Sequence, residues 1–124
     1  LYIEDIASNV QLMRDMLGEY TDVQVLTAAS AEEGIALALE QLPDLIIMDI
    51  NLGGMNGIDA TRYIKSVPSI SNIPVFALTG DVQENTRARC EEAGVAAFFE
   101  KPIKVNAFID AVCVVLDQRL GRFL

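Results

Sequence analysis

Residues 45–49 read Leu-Ile-Ile-Met-Asp and run into Ile50-Asn51-Leu52-Gly53-Gly54. Four apolar residues, two of them β-branched, end on an acid and then on a glycine-containing loop. So short an apolar run between turn signals is a strand buried on both faces. In open parallel α/β sheets, ligands and chemistry collect just beyond the carboxyl ends of the strands. Asp49 stands at that place, so the question for the rest of the chain is what converges on it.

In order along the chain, Leu1-Tyr2-Ile3 is a short apolar run that ends in Glu4-Asp5. Ser8 is positioned to open a helix, with Gln11 at the capping-box position. Val23 to Ala28 alternates and predicts an edge strand. Ser30 with Glu33 makes a second capping box, opening a helix that Pro43 closes. After the 45–48 strand, a helix is expected over Gly57–Ser66 and a loop through Pro68 and Ser69–Asn72. Ile73 to Leu78 is a strand ending in Thr79-Gly80-Asp81, with Pro74 near its start, where a missing N–H is tolerated. A polar helix over 83–93 stops at Gly94. Val95 to Phe99 is a fifth strand, ending Glu100-Lys101-Pro102, and Val105 to Leu120 is the last helix. Strand then helix, five times over, predicts an α/β domain with a parallel sheet covered on both faces. Five units suit the flavodoxin-like (βα)5 order 2-1-3-4-5, whose crevice lies between strands one and three. Residues 1–124 are expected to form one domain.

The bulk numbers narrow the chemistry. Apolar residues make up 52% of the 124, enough for a core. A net charge of −9 argues against direct contact with nucleic acid or an anionic membrane and suits a cation or a basic partner. No apolar run reaches the roughly 20 residues of a membrane span. The chain has no histidine, which excludes Ser-His and Cys-His catalysis and most zinc sites. Cys90 and Cys113 fall in helical patterns without metal-ligand spacing. They read as reduced thiols, in keeping with a cytoplasmic location. The chain opens inside an apolar strand without an initiator Met, so it reads as a domain of something longer.

Strand order puts Glu4 and Asp5 opposite Asp49 across the crevice. At about 5 Å and an effective dielectric of about 20, each like-charged pair costs about 3 kcal/mol. Either one acid stays protonated or a hard divalent cation binds. Mg²⁺ fits best, because it takes oxygen ligands, few of them from protein. Of three lysines, Lys65, Lys101 and Lys104, only Lys101 ends an apolar strand and aims at the same rim. Pro102 behind it can fix its direction, because an X–Pro bond can be cis. Thr79 ends the fourth strand and can offer a hydroxyl, although a turn or helix-capping role is equally open to it. Gly80 beside it leaves room for a ligand or a moving side chain. An aspartate with a lysine, a hydroxyl and a cation is a nucleophile site for phosphoryl transfer, in which Asp49 becomes an acyl phosphate. No Gly-rich phosphate loop is present, so the donor is not a nucleotide bound by this chain.

As a set, these motifs resemble the response-regulator receiver domain of two-component signalling. The acid pair in Leu1–Asp5, the strand ending at Asp49, Met55-Asn56-Gly57, Ala77-Leu78-Thr79-Gly80 and Lys101-Pro102-Ile103 match in order and spacing over essentially the whole chain. The resemblance implies a phosphoacceptor at Asp49. It implies Mg²⁺ held by Asp5, Asp49 and the Asn51 carbonyl, with Glu4 nearby through water, and phosphate contacts from Thr79 and Lys101. It implies a phosphohistidine donor on a histidine kinase or histidine phosphotransfer domain. It also implies that the domain catalyses its own phosphorylation and dephosphorylation rather than acting as a stand-alone enzyme. Output would pass through the face made by the 83–93 helix, the fifth strand and the last helix, with Thr79 and Phe98 as switch residues.

Three positions depart from the family pattern. Gly53 stands where proline is usual, so its loop is expected to be more mobile. Phe98, three before Lys101, is an aromatic switch residue without a hydroxyl. Lys104 stands where a capping Asp or Ser is common, so the last helix is expected to start weakly capped. Asn51 and Asp81 flank the expected water path and should tune acyl-phosphate lifetime. Two rivals follow from the same fold. A phosphorylation-independent interaction module would lack an acid or the lysine, and neither is missing. An Mg²⁺-dependent aspartyl phosphohydrolase wants an acid/base aspartate two residues after the nucleophile, where this chain has Asn51, and a cap for which it is too short.

Overall fold

A computed structural model describes residues 1–80 and 83–121. Asp81, expected beside the water path, lies outside them. Five strands and five helices alternate: β1 (Tyr2–Ile3), α1 (Ala7–Tyr20), β2 (Thr27–Ala28), α2 (Ala31–Gln41), β3 (Ile46–Asp49), α3 (Gly57–Ser66), β4 (Val75–Thr79), α4 (Glu84–Ala93), β5 (Ala97–Glu100) and α5 (Val105–Leu120). All pairings are parallel and the order is 2-1-3-4-5, the predicted arrangement.

Burial explains the central strands. Every residue of β3 and β4 is buried, so neither shows the polar alternation of a one-sided sheet. Side chains still alternate between two cores. Ile46, Met48, Val75 and Ala77 face α2, α3 and α4 in an aliphatic core with Ile35, Ile58 and Ile64. Ile47, Phe76 and Leu78 face α1 and α5, meeting Met13, Leu17, Phe108 and Val112. On that second side Phe108 meets Phe76 and Phe99 edge-on and the latter two rings are tilted against each other, with ring centroids 5.1–6.3 Å apart.

Several boundaries correct the sequence reading: β4 begins at Val75 rather than Ile73, and β5 at Ala97 rather than Val95. Helix α1 starts at Ala7, capped by Ile6 without a side-chain bond, rather than at Ser8. The chain already turns helically as β1 ends, since Asn9 and Val10 N–H donate to the Ile6 carbonyl at 3.0 and 3.1 Å. The second strand is two residues, not 23–28, because its neighbour β1 offers only Tyr2 and Ile3 for pairing. Ser30 caps α2 as expected, its hydroxyl accepting from Glu33 N–H at 3.1 Å. The Glu33 carboxylate reaches back to Ala29 N–H rather than to the cap residue. Lys104 caps α5 without a side-chain bond, as expected.

Gly57 ties the fold to the site. A Cβ there would lie 2.6 Å from the Asp49 carbonyl oxygen and 2.8 Å from Ile50 Cα. Only glycine lets the start of α3 press against the end of β3, where its N–H donates to the Ile50 carbonyl at 3.1 Å.

Candidate functional site

The carboxyl ends of β1, β3, β4 and β5 bring the predicted polar residues to one rim. Ligand oxygens of Glu4, Asp5 and Asp49 lie within 4.8 Å of one another. Asp49 is 2% exposed and Glu4 is 1% exposed, while Asp5 stands in solvent. Two carboxylates buried so deeply require charge partners or hydrogen bonds. Lys101 supplies the first, its Nζ lying 3.3 Å from Asp49 Oδ2 and 3.7 Å from Glu4 Oε1. The Lys101–Pro102 bond is cis. Asn51 supplies the second, its N–H donating to Asp49 Oδ1 at 3.1 Å.

Thr79 is fully buried at the end of β4, and its Oγ1 accepts from Asn51 Nδ2 at 3.3 Å. Helix α4 is capped by Gln83, so the alternative of a capping role for Thr79 is not used. Among the described residues, its chain neighbours apart, no atom lies within 4 Å of where a Gly80 Cβ would be, in keeping with the expected room beside Thr79. Phe98 lies deeper along β5, level with Ala77, half-buried on the side of α4. The Arg87 guanidinium sits 5.7 Å from its ring centroid. A Gly53 Cβ would come no closer than 4.0 Å to Asp5 Oδ2, so the acids stay open on that side.

Residues that the sequence reading passed over complete the cluster. Tyr2 Oη donates to Glu4 Oε1 at 3.2 Å, and Asn9 Nδ2 donates to the same oxygen at 2.9 Å. Burial pushes the Tyr2 phenol well above its usual range, and the Glu4 charge and hydrogen bond add to this. The signal was present. Tyr2 in β1 and Glu4 just beyond its end are two apart on one extended stretch and so share a face. The bond from the Asn51 side chain to Thr79 is a further omission, because the reading used the Asn51 carbonyl for the metal and its place by the water path but gave the side chain no partner.

The donors are hard carboxylate oxygens, with no nitrogen or sulfur among them. That set fits Mg²⁺, which takes one or two carboxylates and keeps waters. A larger concavity of about 440 Å³ lies at the other end of the sheet, lined by Leu17, Val23, Leu42, Val112 and Leu116 among others. No lysine lines it, so acids paired with an ammonium are found at the polar rim and not there.

The response regulator receiver domain family matches residues 1–113. A polar-differentiation response regulator, DivK, from Brucella ovis is 33% identical over 112 residues, covering 90% of each chain. The receiver domain of a signal transduction histidine kinase from Syntrophus aciditrophicus superposes with a TM-score of 0.88 at 26% identity, over 99% of this chain and 92% of that one. The receiver domain of a sensor histidine kinase from Pseudomonas aeruginosa, with a magnesium ion coordinated in its active-site cleft, gives 0.79 at 27% identity, over 97% and 94%.

Proposed function

Because the chain belongs to the response regulator receiver domain family, we propose that it takes a phosphoryl group onto Asp49 from a phosphohistidine. The donor is a histidine kinase or a histidine phosphotransfer domain. An Asp49 carboxylate oxygen attacks phosphorus, the P–N bond of the donor breaks, and the imidazole nitrogen keeps the bonding pair. Asp5, Asp49 and the Asn51 carbonyl are the residues to hold Mg²⁺, with Glu4 beside them. Bound there, the ion would supply charge neutralisation for the acids and the transferring oxygens.

The chain's own residues do the rest. Lys101, 3.3 Å from Asp49, is the ammonium that pairs with the resting carboxylate and then with a phosphoryl oxygen. Asn51 N–H orients the nucleophile. Thr79 donates to the phosphoryl group once it leaves Asn51, and Phe98 moves toward the space beside it. The face formed by α4, β5 and α5 then changes for a downstream domain or protein. Reversing a 1:99 equilibrium to 99:1 takes about 5.5 kcal/mol, and new charge-assisted bonds supply a large part of it. The two free cysteines fit a reducing, cytoplasmic compartment.

The observation that carries this reading is the single ammonium shared by Asp49 and Glu4 at the end of the central strand. Intact-mass measurement after acetyl phosphate and MgCl₂ tests it. One phosphoryl group is expected on the wild type and none on Asp49→Asn or without the metal. Equal labelling of wild type and variant would remove Asp49 as the acceptor.

A further inference from the structure

Glu4 is near enough to the other two acids to be a third metal ligand, yet its oxygens are already engaged. Oε1 accepts from Tyr2 Oη at 3.2 Å and from Asn9 Nδ2 at 2.9 Å, and faces Lys101 Nζ at 3.7 Å. Oε2 accepts from Asp5 N–H at 3.1 Å. A carboxylate oxygen presents two lone-pair sites, so the two neutral donors fill Oε1 and fix the orientation of the carboxylate, while Asp5 N–H takes one of the two sites on Oε2. The Glu4 side chain is 1% exposed and Tyr2 is 3% exposed, so water does not compete for the bond between them, while Asn9 reaches the same oxygen from a half-buried position. Tyr2 comes from the same strand face and Asn9 from the first turns of α1, so two separate elements hold one carboxylate.

We infer that Tyr2 and Asn9 are positioning residues that withhold Glu4 from direct ligation and so set the site's preference for Mg²⁺ over Ca²⁺. This rests on the reading of the rim as a Mg²⁺ site. With Glu4 held back, a cation is offered two carboxylates, Asp5 and Asp49. That suits Mg²⁺, which keeps several waters and needs few protein charges. Ca²⁺ takes six to eight oxygens and gains with each added carboxylate. Releasing Glu4 therefore favours the larger ion. A purely structural role for Tyr2 and Asn9 would instead weaken both ions together.

Calorimetric titration with MgCl₂ and with CaCl₂ separates these cases. In Tyr2→Phe/Asn9→Ala, the Ca²⁺ Kd is expected to fall about tenfold relative to the Mg²⁺ Kd, as an added carboxylate ligand implies. Asn9→Ala alone, which leaves β1 untouched, moves the ratio the same way by a smaller factor. Adding Glu4→Gln to the double variant reverses the gain. An unchanged ratio, or two Kd values rising together, overturns the inference while leaving the Mg²⁺ site standing. Wild type that binds neither ion overturns the Mg²⁺ reading and this inference with it.

Discussion

Helices α3 and α4 are neighbours on one side of the sheet and the same length, ten residues each. They are held very differently. Helix α3 buries Gly57, Ile58, Ala60, Thr61 and Ile64, and its cap, Asn56, accepts from Asp59 N–H at 2.9 Å. Helix α4 buries only Thr86, Cys90 and Ala93, and Gln83 caps it without a side-chain bond. Burying an isoleucine stabilises by about 1.5–3 kcal/mol, and α3 buries two where α4 buries none. Both helices follow strands that end in site residues, β3 with Asp49 and β4 with Thr79. Asp49, the proposed nucleophile, is thus backed by the more firmly anchored helix and the Thr79 hydroxyl by the less firmly anchored one. A site that must hold its acceptor still while relaying a change needs that asymmetry, since moving elements come from the low-stability end of a structure.

The largest effect should come from undoing the anchor of α3. Ile64 is fully buried, so Ile64→Ala is expected to cost about 3 kcal/mol in urea unfolding, against about 1 kcal/mol for Cys90→Ala in α4. Equal losses would erase the contrast. Next is the α3 cap, where Asn56→Ala should cost about 1 kcal/mol. The missing cap of α4 can be supplied: Gln83→Asp is expected to gain about 0.5–1 kcal/mol and to slow amide exchange in α4 but not in α3. The smallest change is Arg87→Ala. It removes an exposed guanidinium from over Phe98 and should cost about 0.5 kcal/mol, read as altered ring shifts at Phe98.

The same asymmetry accounts for what could be seen in the sequence. Asp49 was visible because a run buried on both faces has no polar residue until it ends. Lys101 was visible because only one of three lysines closes an apolar strand. Helix α3 was expected over its observed span, Gly57–Ser66, whereas α4 was found mainly from polar composition and the Gly94 stop. That glycine has φ +106° and closes the helix with its N–H on the Cys90 and Glu91 carbonyls. Ser8 misled because a capping box is local, while the start of α1 follows from how β1 ends. The edge strand was over-extended because alternation in Val23–Ala28 cannot report how short its neighbour is. Asn9 and the contact of the Asn51 side chain with Thr79 escaped notice because hydrogen bonds between separate elements leave no periodic trace, whereas Tyr2, two residues before Glu4, was legible from the alternation of an extended stretch.

Amide NMR of the domain with Mg²⁺ and beryllofluoride, a stand-in for the phosphoryl group, tests the central claim most directly. Shift changes are expected around Asp49 and through α4, β5 and α5, with α2 and α3 left in place. Changes confined to residues beside Asp49, or as large in α3 as in α4, would contradict a fixed acceptor coupled to a movable face.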